Sequence, residues 1–401
     1  MATTRILTNR TNWWKLPDYK ILFGILTFFT FLFANSCTAK EEDFLVFVGT
    51  YTGHGSDGIY AWRFNPATGE INPIGLVAKT DNPSFLTIDS SGQFLYAVNE
   101  IDTFKNQATG AVSAFSINME SGKLKLLQQI SSLGAAPAHL SLDKTGHYLM
   151  VANYTGGNVA VFPVESDGHL GQSSSFIQNA GSGGNPERQG SPHAHFISAT
   201  AGNNFVMVAD LGIDKVLIHR FDATTGSLTP SDAGFVKLNP GDGPRHLAFS
   251  PSGKFVYVLN ELSSTIAAFS FETEKGEMKI LHTISTLPEK FAGSNTAAEI
   301  LVDAKGKFLY VSNRGDNSIG LFDINNSNGN LTPVEWISCG GKDPRNIEID
   351  PTGQWLFAAN QNSNNIVIFR IDQANGRLTQ TKQTLKINAP ICVRFIQTCF
   401  R

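Results

Sequence analysis

The chain has 401 residues, with 31 Lys and Arg against 34 Asp and Glu and a formal net charge of −3. That balance excludes the basic excess of a nucleic-acid-binding surface, and a charged fraction of 16%, low beside the roughly 25% of soluble domains, excludes a disordered polyelectrolyte. The cysteines Cys37, Cys339, Cys392 and Cys399 are too few and too scattered for a disulfide scaffold or a zinc motif, although export would permit a Cys392–Cys399 bridge.

Residues 1–43 read as a leader and tether. Arg5, Arg10, Lys15 and Lys20 precede the uncharged apolar stretch Ile21–Ala34. That stretch is short of the about 20 residues of a membrane-spanning helix and suits a secretory signal. A small residue before Cys37, then an acidic run ending at Asp43, resembles a bacterial lipoprotein processing site with Cys37 as the lipidated residue. An ordinary cleaved signal and an uncleaved anchor are the alternatives. The expected location is the periplasm or cell envelope, with membrane attachment only through that lipid.

From residue 44 one unit recurs: a Gly turn, an aromatic-rich strand and a polar stop. The stops fall at Thr50, Asn99, Asn153, Asp210, Asn260, Asn313 and Asn360, 47 to 57 residues apart. A strand precedes each later copy, beginning near Pro83, Pro137, Pro192, Pro244, Ala297 and Pro344. A third strand follows each copy (Gly58–Phe64 in the first) and a fourth comes after another Gly turn. Four short strands per unit and seven units predict an all-β, seven-bladed propeller over 44–401. The first unit lacks its leading strand, and the C-terminus has one to spare at Pro390–Phe395. That surplus strand is expected to join the N-terminal blade and close the ring, hiding both edges.

The first strand of each blade starts, and the second ends, at the same rim, because a hairpin joins them antiparallel. Residues following the leading prolines and the polar stops should therefore line one mouth of the channel. They include His193, Arg245 and Arg345 from first strands, and Tyr51, Glu100, Tyr154, Glu261 and Arg314 from second strands. Neighbouring positions add His139, His195, His246, Glu299 and Asn346. Such charges near an axis cost desolvation unless they pair or meet a ligand, so the cluster predicts an anion site. The polar stops themselves read as strand ends that bond the nearby backbone. His193-Ala194-His195 has a spacing that can hold zinc but no clear third ligand, so no metal is expected. No phosphate loop, nucleophile elbow or dinucleotide fingerprint stands in a fitting context, and no cofactor is expected.

Several of these segments look alike in a further sense. Pro192-His193-Ala194-His195, Gly243-Pro244-Arg245-His246-Leu247, Tyr257-Val258-Leu259-Asn260-Glu261 and Val311-Ser312-Asn313-Arg314 resemble the seven-bladed 6-phosphogluconolactonase family, which includes fungal carboxymuconate cyclases. The likeness runs from about Phe44 to Phe395. It implies a catalytic set of His193, Arg245, Glu261 and Arg314. Cytosolic members act on a phosphorylated sugar lactone, which an exported protein would not meet.

The leading expectation is therefore hydrolysis of a sugar lactone, or another small anionic substrate, without metal or nucleophilic serine. Arg245 and Arg314 would stabilise the oxyanion, and Glu261 or His193 would be the general base. Substrate contacts are expected from His195, Arg345, Glu100 and His246. The alternatives are a carboxymuconate-type cycloisomerase, in which arginines clamp carboxylates, and a non-catalytic binding propeller of the envelope.

Overall fold

A computed structural model describes residues 43–398. The leader, the Cys37 lipidation site and Cys399 lie outside these residues, while Cys392 is buried on an innermost strand.

Runs such as Phe44–Thr50 and Tyr148–Asn153 are apolar throughout rather than alternating, and every residue in them is buried. Continuous apolar runs of this length, bounded by turns, suit strands covered on both faces. The chain forms seven four-stranded antiparallel sheets, the blades of a propeller. Their innermost strands are Leu86–Ile88 in blade 1, Pro137–Leu142 in blade 2, Ala194–Ala199 in blade 3 and Pro244–Phe249 in blade 4. Thr296–Val302, Pro344–Ile349 and Pro390–Gln397 complete the set in blades 5 to 7. Blade 7 is closed as expected: Pro390–Gln397 pairs with Phe44–Thr50 in a register running from Phe44↔Gln397 to Gly49↔Cys392. Thr398 donates from both its amide and its hydroxyl to the Asp43 carbonyl at 3.0 and 2.7 Å, fastening the seam.

The second strands end at the expected stops, except that Phe308–Arg314 runs one residue past Asn313. Blades 1 and 3 depart at their starts. Asn82 takes a left-handed φ of 39° and delays the first strand to Leu86, and in blade 3 the strand begins at Ala194 rather than near Pro192.

The turn between first and second strands is repeated chemistry. Asp143 accepts from the Thr145 and Tyr148 amides at 3.0 and 2.9 Å, and Asp350 from the Thr352 and Trp355 amides at 3.1 and 2.7 Å. Blade 3 has Asn203, with φ 57°, where the others have a left-handed glycine, as Asn tolerates that conformation. The polar stops tie neighbouring blades together. Asn153, Asn313 and Asn360 donate to the carbonyls of Ser132, Thr286 and Cys339 at 2.9, 2.9 and 3.1 Å.

Between blades, aromatic side chains interlock. At the junction of blades 6 and 7, Phe64 meets Trp355 and Phe357 edge-on at 5.6 and 5.2 Å. Each such side chain contributes about 1.5–3 kcal/mol through burial, which keeps the blade angle rigid and the channel residues in place.

Candidate active site

In blades 2 to 7 the innermost strand skips one residue just inside the mouth, or two in blade 5, where the pairing passes from Ala297 to Ile300. The skips fall between Pro137 and His139, Ala194 and Phe196, Pro244 and His246, and Pro344 and Asn346, with Ile391 passed over in blade 7. A bulge re-aims the unpaired residue. The residues set at these bulges are Ala138, His195, Arg245, Ala298, Arg345 and Ile391. The next residue of each strand forms a second level below them: His139, Phe196, His246, Glu299, Asn346 and Cys392.

This register corrects the place of two histidines. Asp210 pairs with Ala194, just as Asn260 pairs with Pro244, so His195 is the counterpart of Arg245. His193 precedes the strand. It stacks on the Tyr154 ring at 4.5 Å, its Nδ1 is 3.0 Å from the Tyr154 carbonyl oxygen, and it does not line the mouth cavity. Aligning Pro192 with the other leading prolines put the blade two residues out of step; counting back from the polar stop would have found it.

The mouth cavity measures about 350 Å³, and four arginines, Arg188, Arg245, Arg314 and Arg345, meet two glutamates, Glu100 and Glu261, in its wall. Glu261 is nearly fully buried. Arg245 reaches its Oε2 at 2.6 Å, Arg314 the same oxygen at 3.0 Å and Arg188 its Oε1 at 3.0 Å. Burial pushes the Glu261 carboxyl up, but Arg314, Arg245 and Arg188 outweigh it and hold the group well below the usual carboxylate range. A carboxylate so pinned is a poor proton acceptor, and its three ion pairs fix the arginines around it.

Arg245 also donates from Nε to the Ala298 carbonyl at 2.8 Å and from a terminal nitrogen to His195 Nε2. Burial, then the nearby Arg314, brings its guanidinium down to about 10, still charged at neutral pH. Burial and Arg245 push the His195 imidazole well below its ordinary value, so it is neutral and accepts from Arg245. Arg314 bonds the Ala297 carbonyl at 3.1 Å and its Nε has no protein partner. Across the mouth, Arg345 donates to the Tyr51 hydroxyl at 2.7 Å, which donates in turn to both Glu100 oxygens at 2.9 and 2.8 Å. His246 lies at the second level, below the mouth cavity and outside its lining.

Arg188 was not anticipated. It sits in the fifteen-residue loop 179–193 between blades 2 and 3, and loops of that length usually carry function, which was the available signal. The loop is anchored by the buried Asp214 carboxylate, which accepts from the Gly184, Gly241 and Gly243 amides at 3.0, 2.8 and 2.8 Å and from Gln189 Nε2 at 2.6 Å. A Cβ on Gly184 would stand 2.6 Å from the Gly241 nitrogen, so only glycine lets the two segments meet there.

A family model described as "Lactonase, 7-bladed beta-propeller" matches residues 45–395. The chain belongs to that lactonase family. Its relatives include the 6-phosphogluconolactonase of Bacillus subtilis, 36% identical over 88% of this chain and 98% of that protein. The 6-phosphogluconolactonase of Formosa agariphila is 38% identical over 75% of this chain and 85% of its own length. Among solved structures, the periplasmic gluconolactonase of Pseudomonas aeruginosa superposes with a TM-score of 0.83 at 35% identity, covering 88% of this lactonase-family chain and 99% of its own.

Proposed function

We propose that this lactonase-family protein hydrolyses a sugar lactone to the open-chain acid in the mouth cavity, without a metal ion. The observation that carries the reading is the gathering of four arginines and two glutamates there, an excess of two positive charges in the wall of the cavity. Arg245 and Arg314 donate to the carbonyl oxygen as it becomes an oxyanion; their positions are held by Glu261, so little reorganisation is needed when charge develops. Arg188 and Arg345 receive the hydroxyl or anionic groups of the sugar, with Glu100 and Tyr51 bonding its hydroxyls.

The leader and the name of the Pseudomonas relative both support export, and an exported enzyme meets unphosphorylated sugar lactones first. Residues 1–43 then serve as a lipoprotein leader with Cys37 as its anchor.

The test is acid release from a panel of sugar lactones, phosphorylated and not, corrected for spontaneous opening. The wild-type protein is expected to accelerate release, and Arg245→Ala to lose about 10²–10³ in kcat. Product mass separates hydrolysis, which adds water, from cycloisomerisation, which leaves it unchanged. Binding of a lactone with no turnover at any protein concentration would leave only the binding propeller.

A further inference from the structure

Below the arginines the channel does not continue as a pore. Phe85, just ahead of the inner strand of blade 1, joins the second-level side chains in closing it: the Phe85 and His139 rings lie 4.2 Å apart, His139 and Phe196 4.3 Å, and Phe196 and His246 5.5 Å. The polar half of the plug is a bonded chain. His246 Nδ1 meets Glu299 Oε1 at 2.7 Å, Asn346 Nδ2 donates to Glu299 Oε2 at 2.7 Å, and Asn346 Oδ1 accepts from the Val393 amide at 2.9 Å. Burial raises the Glu299 carboxyl, but His246 and Arg394 outweigh it and keep it below its ordinary range. An ionised carboxylate only accepts, so the His246 proton sits on Nδ1 and the lone pair on Nε2.

Between plug and mouth lies a small chamber of about 10 Å³, lined by Ser84, His195, His246 and Glu299 and shared above with Arg245, Arg345 and Glu100. A space of about this size holds one water, given two to four polar partners. Three of its residues have a fully buried side-chain atom with no protein partner: Ser84 Oγ, His195 Nδ1 and His246 Nε2. His195 spends Nε2 on Arg245, so its Nδ1 is a donor. The residues lining the chamber therefore carry one donor, one hydroxyl and one imidazole lone pair with no protein partner, a set that suits a single water.

We infer that His246 is the general base of the site, with Glu299 its positioning residue, acting on a water seated in this chamber. The inference rests on the lactone hydrolysis proposed above and supplies the base that Glu261, bound by three arginines, does not provide. His246 Nε2 takes one proton of the water as its oxygen bonds to the lactone carbonyl carbon, and the C=O electron pair moves onto the oxygen facing Arg245 and Arg314. When that pair returns, the ring C–O bond breaks and the imidazolium proton passes to the leaving ring oxygen. The products are a hydroxyl and a carboxylic acid, which ionises in solution. A base oriented by a carboxylate through its other nitrogen is the arrangement used to activate oxygen nucleophiles generally.

The test compares wild-type with His246→Asn, whose amide keeps a donor near the Nδ1 position for Glu299 but has nothing at Nε2. On a lactone that the wild-type protein hydrolyses, kcat is expected to fall about 10²–10³, with KM and inhibition by the product acid unchanged because the arginines remain. Burial, then the opposing pull of Glu299 and the further push of Arg245 and Arg394, leave His246 below its ordinary value, and the His139 and His195 rings face it at 5.4 and 5.2 Å. Wild-type kcat should therefore fall on an acid limb placed below pH 6.5, and that limb should vanish in His246→Asn. Should that protein not fold, Glu299→Gln, which keeps an acceptor but removes the charge, is expected to move the limb to still lower pH. A kcat within about threefold of wild-type, or an unchanged acid limb, overturns the base assignment alone. A wild-type protein inert to every lactone overturns the lactonase reading itself.

Discussion

Glu261 shows how one side chain fixes the geometry of a cavity wall. Its two oxygens hold three guanidinium groups within 3.0 Å, and those like charges would otherwise repel one another. Because its folded value lies below the unfolded one, the charge contributes stability at all pH values above the unfolded carboxyl range, about 4.3. That contribution is lost as pH falls toward the folded value. Glu261→Gln is expected to cost about 3–5 kcal/mol at pH 7, the cost of breaking a buried pair. In urea unfolding the gap from wild-type should narrow below about pH 4; a gap that stays constant from pH 7 to pH 3 contradicts the assignment. Arg245 and Arg314 beside this carboxylate were expected from the strand pattern, whereas Arg188 arrives from a loop whose path depends on Asp214.

At the scale of single elements, two local devices recur around the ring. One is the aspartate turn joining first and second strands, where Asp143 collects the Thr145 and Tyr148 amides and also accepts from Asn203 of the next blade at 2.8 Å. Removing several charge-assisted bonds at once makes Asp143→Ala costly, about 2 kcal/mol, with lactone turnover at 25 °C retained because the turn lies at the end of the hairpin away from the mouth. Thermal unfolding and kcat measured on the same preparation check both halves. The other device is the bulge at the mouth end of the inner strand. It turns two successive residues toward the axis, and so creates both the arginine level and the plug beneath it. Strict alternation would have sent Arg245 and His246 to opposite faces.

Across the whole molecule, the ring is only as sound as its seam. Pro390–Gln397 supplies the innermost strand of a blade whose other strands lie at the opposite end of the chain. Its Arg394 bonds the Leu86 carbonyl in blade 1 at 3.0 Å and Glu348 in blade 6 at 2.5 Å. Ending the chain after Ala389 would expose Phe44–Thr50 as a bare apolar edge and remove the Val393 amide from Asn346. Expression of that truncated protein is expected to yield aggregate, with no cooperative unfolding transition. Recovery of a soluble protein with the wild-type melting temperature would mean the seam is dispensable.

Periodicity and turn chemistry are local properties, and they were enough to determine the seven blades, the strand limits to within a few residues and the displaced closing strand. Motif likeness carried the lactonase family. The tertiary structure decided which histidine of blade 3 faces the axis, because Pro192 stands two residues ahead of the other leading prolines and the strand begins only at Ala194, so that His195 and not His193 is the counterpart of Arg245. It also decided the protonation chemistry. Burial and neighbouring charge come from segments far apart in the chain, so only the closed ring brings three arginines to Glu261 and leaves His246 Nε2 without a protein partner.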